Sequence, residues 1–228
     1  TYTGVIGGPV RIVSDVPIFS TQRVVGWNDF DEVVGLPSWC VYTEHWFNWY
    51  DSVGFSWDAI HFINLQTSTA TINVYIAGSQ VESFTLGAGQ ATWKTYSGVS
   101  NGPVHVVSTI PIRVTQRIVG WGGFKELYSV PSELMSATWY FNWYDTAATQ
   151  GDNIHLSNPS QTDTATVNIR IHGVLKGTVT LNPGHVTFVS YPSVSDGPVL
   201  IQSNIPIMTS QRIVGWSSFE ETLGVQWT

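Results

Sequence analysis

A single cysteine, Cys40, rules out an internal disulfide. It reads as a small buried apolar residue. Basic residues are scarce: nine Lys and Arg stand against sixteen Asp and Glu, for a net charge of −7. With no basic cluster, nucleic acid is a poor partner. No apolar run approaches the roughly 18 residues of a membrane-spanning helix. Charged residues make up only 11% of the chain, against about 25% in ordinary soluble domains. Thr, Ser, Asn, Gln and Gly do the solubilising, a balance common in exported β-rich proteins. There is no P-loop, dinucleotide fingerprint, Gly-x-Ser-x-Gly elbow or Cys/His cluster. No cofactor is implied and no catalytic constellation is visible, so an enzyme is not expected. The start at Thr1 fits processing of an exported precursor or trimming of the chain.

What the chain does have is a repeat. GPVRIVSDVPIFSTQRVVGWNDFDE begins at Gly8, GPVHVVSTIPIRVTQRIVGWGGFKE at Gly102 and GPVLIQSNIPIMTSQRIVGWSSFEE at Gly197, offsets of 94 and 95 residues. A second segment occurs twice: WFNWYD from Trp46 matches YFNWYD from Tyr140, and TATINVYIAG from Thr69 matches TATVNIRIHG from Thr164. With the first segment called A and the second B, the chain reads A-B-A-B-A. An A copy of about 38 residues is too short to bury a core alone. One A must therefore pack on a neighbouring unit or on another chain.

Alternation of apolar and polar residues at Ile60, Phe62 and at Ile72, Val74, Ile76 predicts half-buried strands. Pro17, Pro111 and Pro206 interrupt A, which predicts two strands around a bend. A short helical turn is expected at Asp29–Val34 and its equivalents. About seven strands per unit, with turn signals between them, favour an all-β fold of two tandem antiparallel sandwiches of the immunoglobulin-like kind. The expected division is a partial repeat over 1–38, a sandwich over 39–132 and a second over 133–228. The spare A could equally be the last copy, so two registers remain open.

The combination of GPVRIVSDVPIFSTQRVVGW, the Phe-x-Glu turn and FNWYD resembles a family of tandem extracellular β-repeats in bacterial and archaeal surface and exported proteins. The resemblance spans essentially the whole chain. It implies a cell-surface or extracellular location and β architecture, with no activity attached.

Several recurring residues are candidates for a role. Arg23, Arg117 and Arg212 each precede a Glu by nine positions: Glu32, Glu126 and Glu221. Recurrence in every copy points to a structural ion pair rather than a ligand site. Trp27, Trp121, Trp216, Trp49 and Trp143 read as an aromatic skeleton of core and inter-unit contacts. Trp39, Trp57 and Trp93 lack a Trp counterpart in the second B and are candidates for exposed binding or assembly contacts. Asp51 with Asp58, and Asp145 with Asp152, bracket a loop and are weak Ca²⁺ candidates, with turn capping as the alternative. His61 and His155, the recurring histidines, read as surface or hydrogen-bonded residues.

Two functions follow from these features. The first is a structural protein that self-assembles head-to-tail into a filament, sheath or surface layer, with another copy of itself as partner. The second is a secreted carbohydrate-binding module that stacks Trp faces on a cell-surface glycan.

Overall fold

The computed structural model describes residues 7–26, 29–215 and 217–226. The first A copy contributes a free-standing hairpin, β1 (Thr21–Gly26) with β2 (Asp29–Val34). A first sandwich follows, made of β3 (Tyr42–Phe47), β4 (Tyr50–Asp51), β5 (Trp57–Ile63), β6 (Ala70–Ile76), β7 (Ser79–Leu86), β8 (Ala91–Lys94), β9 (Ser100–Asn101), β10 (Val104–Gly120), β11 (Gly123–Tyr128) and β12 (Val130–Pro131). One 3-10 turn covers Ser132–Leu134. The second sandwich repeats the plan with β13 (Ser136–Phe141), β14 (Tyr144–Asp145), β15 (Gly151–Ser157), β16 (Ala165–Ile171), β17 (Val174–Leu181), β18 (Val186–Val189), β19 (Ser195–Asp196), β20 (Val199–Gly215), β21 (Ser218–Leu223) and β22 (Val225–Gln226).

The fold is all-β and antiparallel, as the alternation predicted. In β6, Ala70, Ile72, Val74 and Ile76 are buried while Thr71, Asn73 and Tyr75 are partly exposed. Side chains of a strand point alternately to opposite faces, so this pattern puts one face on the core. The centre of each sandwich is the long strand supplied by an A copy. The first half of β10 lies between β3 and β6, and its second half lies between β5 and β11. β20 does the same between β13 and β16, then between β15 and β21. Each A thus completes the B that precedes it in the chain.

Three sequence-based expectations need correction. The proline does not divide A into two strands in the second and third copies: β10 and β20 run through it, continuous over 17 residues each. The proline instead marks where the strand passes from one layer to the other. The β10–β3 register shifts between Val107 and Ile112, so Pro111, which has no N–H, sits where the ladder is already broken. The helical turn at Asp29–Val34 is a strand, as are its equivalents β11 and β21. Gly120 pairs with Gly123 across a two-residue turn in which Trp121 and Gly122 both have positive φ, 49° and 82°. That is the hairpin turn whose twist suits antiparallel strands. Cys40 is partly rather than fully buried.

The two sandwiches pack on each other. Trp46 and Val130 of the first join the core of the second around Trp139, Leu156 and Ile201. Asn48 donates from Nδ2 to Ser210 Oγ at 2.8 Å. The three A hairpins also meet. Equivalent positions Asp31, Lys125 and Glu220 converge: the Lys125 ammonium is 2.8 Å from Glu220 and 3.9 Å from Asp31. At the hairpin tips Ser218 donates to Asp29 at 3.0 Å, with Gly123 between them, where a Cβ would come within 2.5 Å of both side chains.

Candidate functional site

The feature that sets this chain apart is the stretch before β1. Residues 8–20 are the repeat equivalent of the segments that enter the first half of β10 and β20, yet no strand is formed there. Val10, Ile12 and Ile18 are 74%, 61% and 56% exposed. Their equivalents Val104, Val106 and Ile112, and Val199, Ile201 and Ile207, are completely buried. Val16 and Phe19 are exposed as well, and so is Phe30 of β2, whose counterparts Phe124 and Phe219 are buried. An extended segment with an apolar edge of this size is a ready template for strand pairing.

The recurring ions pair within each hairpin. Arg23, Arg117 and Arg212 stand opposite Glu32, Glu126 and Glu221 in the strand registers and form ion pairs with them. Their surroundings differ sharply. The Arg and Glu side chains are 62% and 43% exposed in the first copy, 22% and 12% in the second, and 9% and 3% in the third. Burial alone would raise the Glu221 carboxyl. Arg212, the His155 ring and the Ser210 hydroxyl outweigh it and hold the group at about 2. His155 is therefore buried against Glu221, with Nδ1 3.7 Å from the carboxylate.

The Gln before each Arg was not singled out by sequence reasoning, although its recurrence was visible. Gln116 donates from Nε2 to the Trp49 carbonyl and to the Asp58 carboxylate, and Gln211 makes the same bonds to Trp143 and Asp152. Asp58 and Asp152 also accept the N–H of Asp51 and Asp145. Asp51 in turn accepts from the N–H of Val53 and Gly54, and Asp145 from those of Ala147 and Ala148. These carboxylates cap turns and clamp a strand. Among the described residues they do not assemble into a Ca²⁺ cluster. Desolvation pushes the Asp58 carboxyl up, to about 7, against the lowering effect of its N–H donors. Tyr50 and Tyr144 of the WYD motif are buried pins, their hydroxyls donating to the Asp58 and Asp152 carbonyls.

Three of the five tryptophans expected to form the aromatic skeleton lie among the described residues. Trp27 and Trp216 lie outside the described residues. Trp121 is half-exposed and packs on Phe55 and Phe219, while Trp143 is exposed and Trp49 is partly buried. Among the described residues the buried tryptophans are Trp46, stacked on His105 at 3.7 Å, and Trp139. Among the three unmatched residues, Trp39 and Trp93 are exposed and Trp57 is partly buried. Trp57 and Trp93 meet edge to face at 5.7 Å and 84° on the outer face of the first sandwich, with His61 beside Trp57. The equivalent positions in the second sandwich are Gly151 and Phe188, so the corner belongs to the first alone.

No protein-family model, curated protein or solved structure matches the chain.

Proposed function

We propose that the protein is an extracellular structural protein that self-assembles, using its free A copy to join neighbouring chains into a filament, sheath or surface layer. The observation that carries this reading is the exposure of Val10, Ile12 and Ile18, whose counterparts are core residues twice over. Heterologous contacts of this kind, which do not close on themselves, propagate into open arrays. A low charged fraction of 11% and a high content of Thr, Asn and Gln suit a durable exported polymer. Light scattering and electron microscopy test it. The parent chain is expected to form particles that grow with concentration, and the triple variant Val10→Asp, Ile12→Asp, Ile18→Asp is expected to stay monomeric. A parent chain that remains monomeric at the highest concentration reached would remove the self-assembly reading.

The right-angled Trp57–Trp93 pair favours a second reading, a carbohydrate-binding module in which a pyranose face stacks on Trp93 with Trp57 as the wall. Binding on a glycan array is expected to fall by up to about tenfold in Trp93→Ala, since an aromatic contact is worth about 0.5–1.5 kcal/mol. A parent chain that binds no glycan would eliminate it.

A further inference from the structure

The exposed arm carries more than apolar residues. It carries each of the features by which an A copy recognises a B half, and in this chain both B halves are already filled. Three observations bear on this independently of hydrophobicity.

The first is Gly8. Its equivalents Gly102 and Gly197 lie under backbone: a Cβ there would come within 2.3 Å of the Asn48 and Asn142 carbonyl oxygens. Gly8 has no such neighbour, its nearest being Ala91 at 3.7 Å. A glycine demanded by close backbone approach is present without the backbone. The second is Asp15. Its equivalents Thr109 and Asn204 accept the N–H of Thr71 and Thr166, at the start of β6 and β16. Asp15 offers the same kind of acceptor from an exposed position. The third is Gln22, exposed in β1, whose equivalents Gln116 and Gln211 are buried and hold Asp58 and Asp152. The inward apolar set Val10, Ile12 and Ile18 is also residue for residue that of β20: Val199, Ile201 and Ile207.

We infer that residues 8–19 are a donor strand whose partner is a B-type half with an open central slot. In that slot the arm lies between strands of the β3 and β6 kind, Ile12 standing where Val106 and Ile201 stand. β1 continues beside a strand of the β5 kind, which brings Gln22 to the buried carboxylate of its partner. The hairpin β1–β2 is meanwhile held in its own chain: Glu126 donates its N–H to Asp31 at 2.8 Å, and Lys125 and Ser218 add the contacts described above. The arm is thus anchored at its C-terminal end, while Val10, Ile12 and Ile18 stay exposed. The inference rests on the assembly reading in taking the arm as an adhesive element. It differs in naming the acceptor, a slot that is filled in this chain unless a second copy releases its own A.

Two experiments test it. In the intact chain, the arm sequence is grafted into β20 by Leu200→Arg, Gln202→Val, Asn204→Asp, Ile205→Val, Met208→Phe and Thr209→Ser. If the arm is a competent central strand, the graft unfolds cooperatively with a midpoint within about 5 °C of the parent. The same graft carrying Ile201→Asp serves as the disrupted reference. A graft that behaves like this reference overturns the inference. In trans, a fluorescent peptide of residues 8–26 is co-refolded from urea with the full-length chain carrying Val10→Asp, Ile12→Asp and Ile18→Asp, so that a B half can take up the peptide in place of its own A. Capture read by fluorescence anisotropy is expected, and the same peptide with Ile12→Asp is expected to stay free. Capture of neither peptide, or of both alike, overturns the inference. A monomeric parent whose graft folds rejects self-assembly and keeps the donor strand. A polymer whose graft fails shows that another surface drives assembly.

Discussion

Aspartate at one equivalent position in each of the three A copies is expected to give two opposite results. Ile12→Asp should leave the unfolding midpoint within about 2 °C of the parent, because an exposed substitution away from any contact falls within about 0.5 kcal/mol. Val106→Asp and Ile201→Asp should each cost about 4 kcal/mol or more, since both residues are completely buried at the centre of a sandwich. A carboxylate there has no cation to pair with on β6 or β16, where the inward neighbours are Ile72, Val74, Val167 and Ile169. Urea unfolding of the three variants, followed by circular dichroism and by tryptophan fluorescence, separates the cases. A loss for Ile12→Asp as large as that for Val106→Asp would mean that the arm is packed within its own chain. The comparison is internally controlled, because the chemical change is the same and the sequence context nearly so. Only the presence of a B half differs.

That contrast also shows where sequence reading stops. Repeat, strand class and Arg–Glu pairing were all legible, because each is written into local spacing: the alternation of Ile72, Val74 and Ile76, and the nine residues that place Arg117 opposite Glu126 around a two-residue turn. The order A-B-A-B-A left two registers open. The ladders of β10 and β20 with the preceding B resolve them, and leave the first A copy as the unpaired one. Burial could not be read in this way. Ile12 and Ile201 are the same residue in nearly the same sequence, and only a tertiary partner distinguishes them. The helical turn was misread for a related reason. Trp121 occupies a left-handed conformation that a bulky side chain rarely adopts, so its turn carried no familiar signal. In β11 the apolar residues Phe124 and Leu127 stand three apart, a helical spacing, so the pattern gave no strand signal either. Among the tryptophans, recurrence was a poor guide. Trp139 is buried where its counterpart is His45, itself buried and held by Ser129 and the Tyr42 carbonyl. A shared core position can thus be filled by different residues, whereas Trp143 recurs and is exposed.

The Arg–Glu pairs give the second large effect. Arg212→Ala is expected to cost about 3–5 kcal/mol, since it strands the Glu221 carboxylate in a buried site. Arg23→Ala removes an exposed pair of the same geometry and should cost between zero and about 1 kcal/mol. Arg117→Ala should fall between them, in keeping with its intermediate exposure. Equal costs at the three positions would show that the pairs act through the hairpin alone rather than through burial. The same site sets an acid limit on stability. Glu221 ionises at about 2 in the folded chain and at about 4.5 when unfolded. Between those values the unfolded state binds the extra proton, so stability rises with pH. The contribution is complete above about 4.5 and disappears as pH falls towards 2. Asp58 acts in the opposite sense: its folded value of about 7 lies above the unfolded 3.8, so its contribution is present below 3.8 and is lost as pH rises through 7. The second sandwich should therefore lose stability on acidification while the site around Asp58 gains it. Urea midpoints measured from pH 2 to 8 on the parent, Glu221→Gln and Asp58→Asn resolve the two. Glu221→Gln should flatten the acid limb, and Asp58→Asn the decline towards neutral pH. An acid limb unchanged in Glu221→Gln would place the titration on other carboxylates.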